Sequence, residues 1–184
     1  MTKRTNFKGT CMKRLYLIRH AKSSWKDTLL SDFDRPLNKR GLRDAPFMGQ
    51  RLHEHHVHPD IFVSSPAKRA IHTSQLLAQE VGFPQEQILI DESIYEAGVM
   101  SLLQVVHTLD DRANHAILVG HNPGMTMFAQ SLARVPIDNM PTCSIFCVEF
   151  DSSSWKDVKM GNGVFVFFDS PQKTSAMAGS WRAE

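Results

Sequence analysis

The alternation of short apolar runs with amphipathic segments constrains the fold of this chain more than any other feature. Six runs of strand length are rich in β-branched, leucine and aromatic residues, at 14–19, 60–65, 88–90, 116–121, 143–150 and 164–170. Segments with helical spacing lie between most of them, at 37–57, 66–82, 101–109 and 122–135. This order predicts an α/β fold, a three-layer α/β/α sandwich with a mostly parallel central sheet. The last two runs have no helix between them, so we expect an antiparallel edge.

Helix boundaries are marked by residues with defined backbone roles. Asn38 is a good N-cap for the first helix, Pro66 opens the second, and Gly82 is suited to close it. Pro46 lies inside the first helical pattern, where we expect a kink.

Length and charge limit the classes of function. The 184 residues fit a single domain, predicted at 12–171, with loose termini at 1–11 and 172–184. The periodic pattern begins just after Met12, so Met1 and Met12 are both possible natural starts. A net charge of +2 argues against nucleic acid or a membrane surface as a partner.

Cysteine content and the lack of targeting features favour a cytoplasmic protein. The three cysteines are too few for a disulfide framework and odd in number, and Cys143 and Cys147 are expected to be reduced core thiols on one face of a strand. The basic N-terminal segment has no apolar stretch of the kind found in signal peptides. No apolar run approaches the length of a membrane span.

Charged and polar residues follow three of the predicted strands. Arg19 and His20 end the first, Ser64 and Ser65 the second, and His121 the fourth. Parallel strands bring these ends to one sheet edge, where ligands of open α/β sheets bind. The helix after the second strand carries Arg69 in its first turn, where free backbone N–H groups favour anions. Guanidinium groups match phosphate oxygens, so we predict a phosphate pocket.

Three motifs that contain these residues resemble the histidine phosphatase superfamily, formerly grouped with phosphoglycerate mutases. They are LIRHAKS, SSPAKRAIHTS and LVGHNPG, in the family's order, within a match from about Leu15 to Phe168. The compact length, the RPL of DFDRPLNKRG and the GHNP resemble most closely the SixA-like branch, described as phosphohistidine phosphatases. Ala21 stands where the superfamily usually has glycine.

The resemblance implies a nucleophile, His20, that forms a phosphohistidine intermediate without a metal or another cofactor. An imidazole with a pKa near 6.5 is largely neutral at pH 7, and we expect neighbouring arginines to lower that pKa further. Arg19, Arg69 and His121 would hold the non-bridging phosphate oxygens, with Arg35 as a further ligand.

The sequence leaves two interpretations open for several residues. Glu96 is either the proton donor, as its family position implies, or a helix-start glutamate that interacts with the helix dipole. Ser23 and Ser65 either donate hydrogen bonds to phosphate or cap turns. The aspartates of the loop after the first strand, at 27, 32 and 34, either orient the arginines or are solvated. The histidine cluster at 53–58 is better explained as a solvated helix end than as a metal site.

The nature of the leaving group favours one substrate class. An alkoxide needs a proton donor to depart, whereas imidazole leaves phosphohistidine with far less help. The segment after Glu96 has no lid-sized insertion, which favours an open pocket and a protein-borne phosphoryl group and makes mutase activity less favoured. We therefore expect a phosphorylated protein or a small phosphate ester as the partner. The alternatives are a small-molecule phosphomonoesterase and a non-catalytic phosphate-binding domain.

Overall fold

The computed structural model describes residues 12–171. Cys11 and the predicted loose termini, 1–11 and 172–184, lie outside the described residues. Strands and helices follow one another in this order within the described part of the chain: β1 Met12–Arg19, α1 Lys39–Glu54, β2 Ile61–Ser64, α2 Lys68–Val81, β3 Leu89–Ile90, α3 Val99–His107, β4 His115–Gly120, α4 Gly124–Ala133, β5 Ile145–Asp151 and β6 Val164–Asp169.

The strands form one mixed sheet in the order β3-β2-β4-β1-β5-β6. Strand β4 pairs in parallel with β1 and β2, and β2 pairs in parallel with β3. Strand β5 pairs antiparallel with β1, and β6 pairs antiparallel with β5. The mostly parallel sheet with an antiparallel edge is thereby confirmed.

Helices cover both faces of the sheet, which confirms the three-layer sandwich. Strand β1 contributes to a core on each face of the sheet. Leu15 and Leu17 pack into the core under α3 and α4, while Tyr16 and Ile18 pack into the core under α1 and α2. Successive side chains of a strand point to opposite faces. A strand covered on both faces therefore has an unbroken apolar run, as its sequence does.

Two of the three predicted helix boundaries are present, whereas α2 begins at Lys68 with Ala67 as its N-cap rather than at Pro66. The Asn38 side chain accepts a hydrogen bond from the Gly41 N–H at 2.9 Å, and Gly82 ends α2 in the left-handed conformation at φ +70°. Pro46 lies within α1, which continues as one helix from Lys39 to Glu54.

The side chains of Cys143, Cys147 and His55 are packed against other parts of the protein. Cys143 and Cys147 are free thiols buried in the same core, and burial raises the pKa of Cys147 to about 12. His55 stacks on Phe167 with ring centroids 4.2 Å apart. Within residues 12–171, no group of three or more potential ligands could hold a metal ion, and no helix is long and apolar enough to cross a membrane.

Candidate active site

Three strand ends meet at the carboxyl edge of the parallel part of the sheet. Arg19 at the end of β1 pairs with Gly120 of β4, and Ser64 at the end of β2 pairs with Val119. The His20 N–H continues the pairing by donating to the Gly120 carbonyl at 3.0 Å. The predicted convergence of these ends is confirmed.

A cavity of about 570 Å³ opens at this edge. Every residue predicted for the site contributes to its lining: Arg19, His20, Ser23, Arg35, Arg69, Glu96 and His121. The structure therefore brings the whole predicted set to one cavity.

The His20 ring is held in one tautomer. Its Nδ1 lies 2.7 Å from the Ala21 carbonyl oxygen, which can only accept, so Nδ1 carries the proton. The lone pair is consequently on Nε2, which accepts from Arg69 Nε–H at 3.2 Å. Burial, followed by the proximity of His121, lowers the pKa of His20 to about 3. At pH 7 the ring is neutral, with a nucleophilic nitrogen directed at a guanidinium.

The tautomer of His121 is also fixed by its hydrogen bonds, one of which comes from Arg69. Its Nδ1 accepts from Arg69 Nη2 at 3.3 Å, so Nε2–H donates to Ser65 Oγ at 2.6 Å. Burial, and after it the charge of Arg69, lowers the pKa of His121 to about 4. The His20 and His121 ring centroids are 5.0 Å apart. Ser65 thus contacts a site histidine.

Two arginines present buried N–H groups that have no partner among the described residues. These groups are Arg19 Nε and, on Arg35, Nε and Nη1. The other side of the Arg19 guanidinium is fixed, since Nη1 donates to the Met140 carbonyl at 2.7 Å. Both residues line the cavity, and guanidinium groups there are suited to bind an oxyanion.

Asp32 forms ion pairs with both Arg69 and Arg35. Its carboxylate accepts from Arg69 Nη2 at 2.8 Å, from Arg35 Nη2 at 2.8 Å and from the Tyr95 hydroxyl at 3.0 Å. Burial alone would raise the pKa of Asp32, but the hydrogen bonds from Tyr95 and Arg69 outweigh it and lower that pKa. Of the two interpretations of this residue, the structure supports the one in which Asp32 orients the arginines.

The other two loop aspartates, Asp27 and Asp34, form hydrogen bonds within the loop. Asp27 Oδ1 accepts from the Leu29 N–H at 3.0 Å, and Asp34 Oδ2 accepts from the Ser31 hydroxyl at 2.6 Å. Both contacts lie within the loop between β1 and α1.

The two remaining predicted site residues differ in solvent exposure: Glu96 is exposed and Ser23 is buried. Glu96 is exposed at the cavity mouth, with a left-handed backbone at φ +54°. It precedes Gly98, the N-cap of α3, and so lies outside the first turn of that helix. Ser23 is buried and forms an isolated β-bridge with Leu37.

Three contacts of the site have no signal in the sequence pattern. The Trp25 ring stacks on Arg35, with the guanidinium carbon 3.5 Å from the ring centroid. Tyr95 holds Asp32, as described above. Cys143, left-handed at φ +63°, donates its N–H to the carbonyls of Arg19 at 2.9 Å and His20 at 3.2 Å. Such strained residues are concentrated at functional sites.

Ala21 is the one departure from the superfamily motif, and its surroundings accommodate alanine. Its N–H donates to Thr73 Oγ1 at 3.0 Å, and its side chain is fully buried. Ala21 is not among the residues with positive φ, so this position does not require glycine.

Comparisons with known proteins agree with this geometry. The model of the histidine phosphatase superfamily (branch 1) matches residues 15–102. An uncharacterized chloroplastic protein of Arabidopsis thaliana is 31% identical over 153 residues, covering 79% of this chain and 70% of that protein. The putative phosphohistidine phosphatase SixA from Nakamurella multipartitia has a TM-score of 0.72 at 23% identity, covering 88% of this chain and 97% of that chain. The protein histidine phosphatase SixA complexed with tungstate has a TM-score of 0.74 at 21% identity, with coverage of 87% and 98%.

The chain belongs to the histidine phosphatase superfamily. Within it, the compact three-layer fold is the one seen in the SixA-like branch. Family and site together support phosphatase activity.

Proposed function

We propose that this protein is a metal-independent phosphatase that forms a phosphohistidine intermediate on His20 and acts on phosphohistidine in a protein. The proposal is based on the protonation and the hydrogen bonds of His20. Its ring is neutral, its Nδ1–H is engaged by the Ala21 carbonyl, and its Nε2 faces the Arg69 guanidinium in a cavity lined by arginines. The Nε2 lone pair becomes available to attack a phosphoryl group when the Arg69 Nε–H donates to a phosphoryl oxygen instead.

In the first step, His20 Nε2 attacks phosphorus, an N–P bond forms, and the bond to the leaving group breaks with its electron pair. The ring then carries positive charge, which the hydrogen bond from Nδ1–H to the Ala21 carbonyl stabilises. In this proposal Arg19, Arg69 and His121 hold the non-bridging oxygens, with Arg35 as a further ligand.

In the second step, water attacks the phosphorus of the intermediate. Its oxygen bonds to phosphorus, the N–P bond breaks, and the electron pair returns to Nε2. The products are neutral His20 and dihydrogen phosphate, so charge and atoms balance. The low pKa of His20 favours this return to the neutral ring.

The position of Glu96 favours phosphohistidine over an alkyl phosphate. An alkoxide must receive a proton as it leaves, so a donor has to contact its oxygen. Glu96 lines the same cavity as His20 and is the candidate for that donor, but it is exposed whereas His20 is buried. The imidazole of a phosphohistidine leaves as a neutral ring once its other nitrogen has taken up a proton from solvent, which an imidazole nitrogen does near neutral pH.

The first experiment measures kcat/KM in the presence of EDTA for a phosphohistidine-bearing protein and for a simple alkyl phosphate. His20→Ala is the blank, expected to lose about 10³-fold or more on both substrates. His53→Ala, at an exposed histidine of α1, is the matched control. We expect a strong preference for phosphohistidine. Unchanged activity of His20→Ala would remove the proposed nucleophile.

The same experiment separates the alternatives. Better turnover of the alkyl phosphate would indicate a small-molecule phosphomonoesterase. Phosphate binding without turnover of either substrate would indicate a non-catalytic phosphate-binding domain. Glu96→Gln should slow alkyl phosphate hydrolysis much more than phosphohistidine hydrolysis, and equal losses would contradict the leaving-group argument.

A further inference from the structure

A buried threonine of α2 contacts the backbone beside the candidate nucleophile. Thr73 is fully buried, and its hydroxyl donates to the Arg69 carbonyl one helical turn earlier, at 2.6 Å. Threonine hydroxyls within helices commonly form this local hydrogen bond. Because the hydroxyl hydrogen is engaged there, Oγ1 still has a lone pair for a donor, and it accepts from the Ala21 N–H at 3.0 Å. This second contact joins residues 52 positions apart in the chain and is not part of the helix.

The contact fixes the peptide group between His20 and Ala21. The carbonyl of that peptide, which belongs to His20, accepts from the Cys143 N–H at 3.2 Å, and its N–H donates to Thr73. The preceding N–H, that of His20, donates to the Gly120 carbonyl at 3.0 Å. Of these three partners, only Thr73 contributes a side chain. It is therefore the partner that a substitution can remove.

The same contact connects His20 to the arginine that faces it. The Ala21 carbonyl accepts from His20 Nδ1–H at 2.7 Å, and His20 Nε2 accepts from Arg69 Nε–H at 3.2 Å. Together with the two hydrogen bonds of the Thr73 hydroxyl, these bonds form a closed ring through His20, Ala21, Thr73 and Arg69. The ring fixes the imidazole relative to helix α2, which carries Arg69.

Removal of the hydroxyl would open this ring at the backbone. The Ala21 N–H is part of a fully buried residue and would lose its acceptor. A buried donor without a partner is unfavourable, so we expect the peptide to rotate towards another acceptor. The Ala21 carbonyl would then turn away from Nδ1 of His20, and the proton of the imidazole would no longer be held on that nitrogen.

We propose that Thr73 is a positioning residue that holds His20 in the Nδ1–H tautomer, with the Nε2 lone pair directed at Arg69. Thr73 is not among the residues that line the cavity, so it acts through Ala21 and not on a substrate. The consequence for turnover rests on the proposed function, because a nucleophilic His20 needs its lone pair on Nε2.

Variants that lack or retain the hydroxyl test the role in turnover. Thr73→Ala and Thr73→Val both lack the hydroxyl, so one of them suffices if the other does not fold, whereas Thr73→Ser lacks only the methyl group. On a phosphohistidine-bearing protein, the variants without the hydroxyl should lower kcat about tenfold or more and leave KM within about twofold, because a misplaced lone pair slows attack and not binding. Thr73→Ser should keep kcat within about twofold of wild type.

The tautomer of His20 is a second readout, one that a general loss of packing would not change. Long-range proton–nitrogen NMR spectra of protein with labelled histidines, recorded at pH 7, distinguish Nδ1–H from Nε2–H. Comparison with His20→Ala identifies the signals of His20. We expect a single Nδ1–H tautomer in wild type and in Thr73→Ser, and a mixture of both tautomers in Thr73→Ala and Thr73→Val.

Ser74→Ala is the matched control. Ser74 follows Thr73 in α2 and is also fully buried, but its hydroxyl has no hydrogen-bond partner within residues 12–171. This variant removes a buried hydroxyl from the same helix and leaves the ring of hydrogen bonds intact. It should retain both the wild-type kcat and the single tautomer.

The outcomes separate the positioning role from the proposed function. Wild-type kcat or a wild-type tautomer in the variants without the hydroxyl would overturn the positioning role. Equal losses in Thr73→Ser or Ser74→Ala would also overturn it, because side-chain volume or helix packing would then be responsible. No turnover by wild-type protein would overturn the proposed function, and the NMR spectra would still decide whether Thr73 positions His20.

Discussion

Acidification from pH 7 to pH 5 is expected to destabilise the native protein through His20. The pKa of this ring is lowered to about 3, mainly by burial, whereas in the unfolded chain it returns to about 6.5. Below pH 6.5 the unfolded state therefore binds a proton that the native state does not. The stability that the neutral ring provides is present above pH 6.5 and is lost as the pH falls towards 3.

The size of this loss follows from proton linkage. At pH 5 the unfolded imidazole is almost fully protonated and the native one is still neutral, so the free energy of unfolding falls by about 2 kcal/mol between pH 7 and pH 5. His121, with its pKa lowered to about 4, contributes about 2 kcal/mol more by the same linkage.

Urea unfolding at the two pH values measures the effect. We compare wild type with His20→Asn, which has no imidazole to protonate, and with His53→Asn as the exposed control. The decline in unfolding free energy from pH 7 to pH 5 should be about 2 kcal/mol smaller in His20→Asn than in wild type. An equal decline in both would refute the assignment of a buried, neutral His20.

Three further perturbations address the arginines, the packing of the loop against α1 and the expected independence from metal ions. Asp32→Asn should lower kcat about tenfold, because Arg69 and Arg35 lose their common anchor, while inorganic phosphate binds at least as tightly. Gly41→Ala should destabilise the protein by about 1–3 kcal/mol in urea unfolding, because its Cβ would clash with the Lys22 carbonyl oxygen. EDTA should leave kcat/KM unchanged, since guanidinium groups supply the positive charge; a loss reversed by added metal would contradict this.

The succession of strands and helices along the chain and the convergence of the site were predictable because they depend on short-range patterns. A strand buried on both faces has an unbroken apolar run at its centre, as residues 15–18 do. A break from that run into charged residues then marks a strand end, and parallel pairing brings such ends together. Arg19, His20 and His121 could therefore be placed at one edge without any knowledge of loop structure.

Contacts made by the loops could not be predicted in this way. Trp25 stacks on Arg35 and Tyr95 reaches Asp32 from a distant part of the chain, and neither contact follows from a periodicity. The left-handed Cys143 is a further example, because its backbone N–H rather than its thiol contacts Arg19 and His20. Sequence patterns identify side-chain chemistry, whereas these roles depend on where irregular backbone passes.

The pKa of His20 shows how a correct direction can be predicted for an incomplete reason. From the sequence, neighbouring arginines were expected to lower it. In the structure the largest cause is burial, followed by His121, and Arg69 and Arg19 contribute less. The distinction matters for the reaction, because bound phosphate would neutralise the effect of the arginines but would not restore water to the ring. In the proposed reaction we therefore expect the pKa of His20 to stay below its ordinary value even with phosphate still in the cavity.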